Sequence, residues 1–181
     1  MSQEWSGHWF RLGDPSFGDG FTLPLNAPVG CLARSADRMD LFAVGKDGAV
    51  YSTFSDRPQD PFDPVGGWSG RWFRLGDPSF GDGFTLPLNT PIGCLARSPD
   101  HMDLFAVGKD GAVYRTFWVS NGGWSGQWLR LGDPSFGDGF TLPLNTPIGC
   151  LARTADHMDL FAVGKDSAVY STTFLDSDPG G

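Results

Sequence analysis

Met102-Asp-Leu-Phe-Ala-Val-Gly-Lys-Asp-Gly-Ala-Val-Tyr114 decides the fold, because the chain carries this stretch three times. The other copies are residues 39–51 and 158–170, and the three differ only where Gly48 and Gly111 give way to Ser167. Each copy reads as a β-hairpin. Leu104 to Val107 is a short apolar strand, Gly108-Lys109-Asp110-Gly111 is a turn, and Ala112-Val113-Tyr114 begins the return strand. Asp-Gly between two apolar runs predicts a type I′ turn, with positive φ at both central residues. A hairpin that recurs at wide spacing signals repeat architecture.

The stretches around the hairpin recur with it. Upstream lie Val29-Gly-Cys31-Leu-Ala, Ile92-Gly-Cys94-Leu-Ala and Ile148-Gly-Cys150-Leu-Ala, each read as a buried strand ending in Arg34, Arg97 or Arg153. Before them, Asp14-Pro-Ser-Phe-Gly-Asp19-Gly-Phe-Thr-Leu-Pro-Leu-Asn26 returns unchanged at 77–89 and 133–145. Its prolines and Gly-Asp-Gly are loop chemistry. Each repeat opens on a tryptophan segment: Trp5-Ser-Gly-His-Trp9-Phe-Arg-Leu-Gly13, Trp68-Ser-Gly-Arg-Trp72-Phe-Arg-Leu-Gly76 and Trp124-Ser-Gly-Gln-Trp128-Leu-Arg-Leu-Gly132. Alternation of Trp, Trp and the following Arg on this short extended segment predicts a strand. The linkers 55–67 and 118–123 have drifted apart, whereas the Gly-Asp loop has not. Near-identity of the strands favours recent duplication or a regularised sequence over selection on that loop.

With four strands per repeat, the chain is read as all-β: a β-propeller of four-stranded antiparallel blades, three blades per chain. Residues 1–181 form one domain, with repeats at about 5–67, 68–123 and 124–181. The closing Asp178-Pro-Gly-Gly181 followed by Trp5-Ser-Gly would recreate the first join, Asp63-Pro-Val-Gly-Gly-Trp68-Ser-Gly. The N-terminal strand is therefore expected to pair with the C-terminal blade of the same or a partner chain. Propellers need about four to eight blades. Open ends would expose a sheet face and an unpaired edge. A head-to-tail homodimer closing six blades answers both needs.

Composition agrees and narrows the function. The chain has 26 Gly, 14 Pro and 14% aromatic residues, which fits short strands joined by many turns. A net charge of −8 disfavours nucleic acid and anionic membranes as partners. No apolar run approaches the roughly 18 residues of a membrane span. The start lacks a basic segment and an apolar core, so no signal peptide is expected and the product is read as cytoplasmic as synthesised, with release by a non-classical route. Cys31, Cys94 and Cys150 are one position in three copies; they are expected to be small buried side chains, too far apart to bridge.

Asp103-Leu-Phe-Ala-Val-Gly-Lys-Asp-Gly-Ala-Val-Tyr-Arg-Thr-Phe-Trp118, with Gly122-Gly-Trp124 and Trp128-Leu-Arg-Leu-Gly132, resembles the blade repeat of the PLL-like bacterial lectins. The resemblance covers most of each repeat. It implies a propeller that binds fucose or galactose-type sugars in pockets between blades. Here the repeat carries the added Gly-Asp loop, and three blades replace the family's seven.

Sugar binding needs an aromatic face and a few fixed polar groups. Each repeat supplies them: Trp5, Trp68 and Trp124; Trp9, Trp72 and Trp128; Arg34, Arg97 and Arg153. Packing within blades is the competing role for the tryptophans, and pairing between blades with Asp40, Asp103 or Asp159 that for the arginines. His8 is not repeated, and Arg38 replaces His101 and His157, so no catalytic constellation or enzyme activity is read. Asp14 and Asp19 lack a calcium-loop pattern, and neither metal nor cofactor is expected. The sequence thus predicts a multivalent lectin for fucose- or galactose-type glycans, with a non-catalytic structural or protein-interaction propeller as the alternative.

Overall fold

A computed structural model describes residues 12, 22–56, 67–75, 84–132 and 139–176. Among them, strands form three antiparallel sheets, each a blade, and there is no helix. The first blade orders β1 (Gly30–Ser35), β2 (Arg38–Val44), β3 (Val50–Ser55) and β4 (Phe73–Arg74). The second places β5 (Gly93–Ser98), β6 (His101–Val107) and β7 (Val113–Val119) in line, with β8 (Gly123–Trp124) and β9 (Leu129–Arg130) both on β7. The third holds β10 (Gly149–Thr154), β11 (His157–Val163) and β12 (Val169–Leu175).

Blades and sequence repeats are offset by one strand. The tryptophan segment of the second repeat closes the first blade, with Tyr51 opposite Arg74 and Ser52 opposite Phe73. That of the third repeat closes the second, with Tyr114 opposite Arg130 and Arg115 opposite Leu129. The first such segment, with Trp5 and Trp9, lies outside the described residues, as do residues 14–21, 77–83 and 133–138 of the Gly-Asp loops.

Two local expectations need correction. The hairpin turn is not type I′. Gly48 donates to Gly45 O at 3.0 Å and Gly45 to Ala49 O at 2.8 Å, and only Gly48 has positive φ, at 79°. Asp47 Oδ1 accepts from Ala49 N at 3.0 Å, which holds Asp47 in an ordinary conformation. One left-handed residue after a type I turn suffices for a hairpin. The second correction concerns the tryptophan strand, which is broken. Ser55 bridges Trp68 before pairing resumes at Phe73, and in the second blade β8 and β9 are separate. Gly70 and Gly126 sit in the breaks at φ 70° and 72°.

The inner strands β1, β5 and β10 stand side by side. A side chain at Gly30 would meet Ile92 O at 2.5 Å, and one at Gly93 would meet Ile148 O at 2.6 Å, so the Val/Ile-Gly-Cys pattern records close backbone approach. The cysteines are free, with Cys94 Sγ 3.2 Å from Cys31 O. Against expectation Cys31 is exposed, because among the described residues no blade packs on that side of β1. Burial pushes the Cys94 and Cys150 thiols up to about 12.

The core lies between blades. Phe42, Val44, Leu86, Met102 and Leu104 fill the first boundary; Phe105, Val107, Leu142, Met158 and Leu160 fill the second. Burying one such Phe contributes about 1.5–3 kcal/mol. At the two ends the same positions open to solvent. Phe161 is 39% exposed where Phe42 and Phe105 are at 0%, and Val29 is 50% exposed where Ile92 is at 5%.

Candidate functional site

At each blade boundary an arginine faces the next blade. Ala33 pairs with Met39 and Ser35 with Arg38, so Arg34 is an extra residue in its strand. Arg97 and Arg153 occupy the same bulge in β5 and β10. A bulge re-aims the side chain it carries. Arg34 Nε donates to Asp40 Oδ2 at 2.9 Å, and Nη1 reaches Pro99 O of the second blade at 3.3 Å. Its guanidinium lies 4.2 Å from the centroid of Trp118. Arg97 repeats the arrangement one blade on: Nε to Asp103 Oδ2 at 2.9 Å, Nη1 to Ala155 O at 3.2 Å, and Phe174 at 5.5 Å.

The Arg–Asp pairing read from the sequence is present, but it lies within a blade. What crosses the boundary is a guanidinium to a turn carbonyl and an aromatic ring. Side-chain exposure is 6% for Arg34 and Arg97 but 57% for Arg153, which no further blade covers among the described residues.

Each aspartate collects further groups that differ between blades. Arg38 Nε lies 3.7 Å from Asp40. Asp103 takes Arg115 at 2.7 Å through Nε, with His101 Nε2 at 3.6 Å. Asp159 accepts from Thr173 Oγ1 at 2.7 Å and pairs with Arg153 Nε at 2.6 Å. Burial holds His101 below its ordinary pKa, with Arg97 and Arg115 pushing the same way against Asp103. The Thr173 hydroxyl, helped by Arg153 and His157, lowers the Asp159 carboxyl.

The tryptophans divide. Trp124 meets Phe42 edge to face at 6.0 Å, Trp128 stacks on Phe84 at 5.3 Å, and both pack on the core of the first boundary. Trp68 and Trp72 are half-buried on the first blade. The structure brings Trp118 to Arg34, a residue that repeat logic passes over. Its counterparts are Ser55 and Phe174, so it stands out only as the one Trp outside the repeated segments. Among the described residues, no three His, Cys, Asp or Glu side chains gather as a metal site.

Two cavities open between the second and third blades. One of about 240 Å³ is lined by Phe105, Arg115, Leu131, Met158 and Phe174, among others. The other, of about 130 Å³, includes Leu131, Phe140, Leu142 and Tyr170 in its walls.

No protein-family model matches the sequence, and no curated relative does. Solved structures do match the fold. The BP39L lectin from Burkholderia pseudomallei superposes with a TM-score of 0.60 at 18% identity, over 87% of this chain and 39% of that one. The fucose-specific lectin from Aleuria aurantia gives 0.56 at 17% identity, over 88% of this chain and 47% of that one. A further Aleuria aurantia lectin structure, described as a six-bladed β-propeller, gives 0.57 at 15% identity, over 86% and 46%. The chain therefore has the β-propeller fold seen in fucose lectins and spans less than half the length of these matches.

Proposed function

We propose that the chain is a non-catalytic, multivalent carbohydrate-binding lectin for fucose- or galactose-type glycans, and that two chains close a six-bladed ring. The observation that carries this reading is the repeated set at the blade boundary: a guanidinium held by a buried aspartate, beside an aromatic ring from the next blade. A pyranose needs such fixed donors for its hydroxyls and a ring for its C–H face. Arg34, Arg97 and Arg153 supply the anchors, with Trp118 and Phe174 as rings. Trp68 and Trp72, and Trp5 and Trp9 outside the described residues, stay candidates for ligand contact. Trp124 and Trp128 build the cleft wall. Several weak sites on one rigid body would gain avidity together.

A second reading rests on the same arginines. Arg34 and Arg97 are buried and already engaged by an aspartate and a carbonyl, as a structural or protein-interaction propeller would need.

The test is a glycan array on the gel-filtration peak, with mass from light scattering in the same run. Trp118→Ser accompanies it, because the first blade carries Ser55 at that place and so shows that Ser is compatible with the strand. Lectin function predicts selective, sugar-competable binding that Trp118→Ser weakens while the blades stay folded. A folded species of two chains that retains no glycan overturns the lectin reading and leaves the scaffold.

A further inference from the structure

We propose that the boundary between the first and second blades takes an anionic sugar, with Arg38 binding its carboxylate or sulfate group. This rests on the carbohydrate-binding reading above and names a ligand class for one of its sites.

The two arginines of that boundary differ in what they have left to give. Arg34 directs Nε and Nη2 at Asp40, at 2.9 and 3.5 Å, and Nη1 at Pro99 O. Its side chain is 6% exposed. Arg38 is the opposite case. Its Nε is buried without a hydrogen bond, 3.7 Å from Asp40 Oδ1, and among the described residues no group accepts from the rest of its guanidinium. With 29% of its surface exposed, the side chain can be reached from solvent. Its guanidinium carbon lies 4.0 Å from the centroid of Phe54. A stacked ring holds a guanidinium in place but leaves its five N–H donors unmet. An unmet buried donor is costly, so an acceptor brought by a ligand is favoured there. The planar fork of an arginine fits a carboxylate or sulfate two N–H groups at a time.

The register puts these groups on one face. Arg38 and Asp40 lie two apart in β2, and Asp40 pairs with Phe54 in β3. Residues two apart share a sheet face. Arg34 reaches from the same carboxylate to Pro99 O and the Trp118 ring of the second blade. Arg34 and Arg38 thus flank Asp40, two positive charges against one negative, in a chain whose net charge is −8. At physiological salt, exposed charges more than about 8 Å away are largely screened, so the local excess governs a ligand seated there.

The other blades lack this free fork. In the second, Arg115 supplies the second cation, but it closes on Asp103 through Nε and Nη2. His101 stands where Arg38 does, within reach of Arg97 Nη2, and burial holds it below its ordinary pKa. In the third, His157 and Ser171 occupy those two places, and Arg153 is the guanidinium on Asp159. The excess of free donors therefore belongs to the first boundary.

Calorimetric titration compares galactose with galacturonate, in which a carboxylate replaces the primary alcohol, and with galactose sulfated at that alcohol. A charge-assisted pair predicts that one of the anions binds roughly 10-fold or more tighter than galactose at its best site. Added salt should narrow the difference. Galacturonate ahead of the sulfate assigns a carboxylate ligand, and the reverse assigns a sulfate ester. Arg38→His should bring anion and galactose to within about two-fold of each other, since the fork is gone. His fits this place in the hairpin, as His101 and His157 show, and a thermal melt checks that the blades stay folded. Lys46→Gln removes the same charge just beyond the other end of β2 and should keep the preference. Anions bound no tighter than galactose, or a preference that survives Arg38→His, overturns the proposal, while binding of neutral galactose or fucose keeps the lectin reading. Binding of no sugar at all overturns both.

Discussion

Asp103→Ala removes the most heavily engaged carboxylate among the described residues. Asp103 is fully buried, and the guanidiniums it holds, Arg97 and Arg115, expose 6% and 15% of their side chains. Without the carboxylate, two cations stay in a site where water reaches them poorly. Breaking a buried pair from one side costs about 3–5 kcal/mol, because the remaining charge loses its compensation. For a chain of this size each kcal/mol moves Tm by about 2–4 °C, so a fall of roughly 6–20 °C is expected. Urea unfolding followed by tryptophan fluorescence gives the free energy directly. A double-mutant cycle with Arg115→Ser separates the charge argument from simple loss of packing. Ser is what the first and third blades carry there, as Ser52 and Ser171. With one fewer cation stranded, the Asp103→Ala penalty should shrink by about 1–2 kcal/mol, within the range of couplings between contacting residues. A penalty below about 1 kcal/mol, or one unaltered by Arg115→Ser, would refute the reasoning. Asp159→Ala reads the assembly: Arg153 is 57% exposed in the single chain, so a cost rivalling that of Asp103→Ala means a second chain covers it.

Two substitutions should stabilise. Thr90 Oγ1 lies 3.1 Å from Asn145 Oδ1 across the second boundary, but at the first boundary Ala27 stands in the place of Thr90 and leaves Asn89 Oδ1 buried without a hydrogen bond. Ala27→Thr restores the contact and should add about 1 kcal/mol, read from the urea midpoint; no gain would mean that Asn89 is satisfied some other way. Ser167 holds φ 66° where Gly48 and Gly111 stand, and a Cβ at Gly48 would come within 2.9 Å of Leu86 O of the next blade. Ser167→Gly should therefore add about 0.5–1 kcal/mol by relieving the left-handed backbone and should also tighten association of two chains in light scattering. Stabilisation without tighter association would show that the turn does not meet the second copy.

Much of this was legible because the chain repeats itself. Three copies of the Met-Asp-Leu-Phe hairpin fix three blades, and apolar runs bounded by Gly-Asp turns fix the strands that β2, β3, β6, β7, β11 and β12 become. The partnership of Arg34 and Asp40, six residues apart, was open to sequence reasoning as one of two roles. The type of turn was not. Asp-Gly permits two left-handed residues, and the Asp47 side chain, by capping Ala49 N, selects one. The break in the outer strand was also hidden, since Trp68 and Trp72 keep an even spacing that a continuous strand shares.

What the sequence determined by itself is whatever depends on neighbours along the chain: strand, turn and the offset of repeat from blade. Only the tertiary structure decided which side of a boundary each side chain serves. Trp124 became wall and Trp118 became the ring over Arg34 because a blade's face is covered by the next blade, more than fifty residues away in sequence. The same cause leaves Arg34 buried and Arg153 open, although their local sequences are nearly the same. Local pattern sets backbone conformation, whereas burial is set by what packs on top.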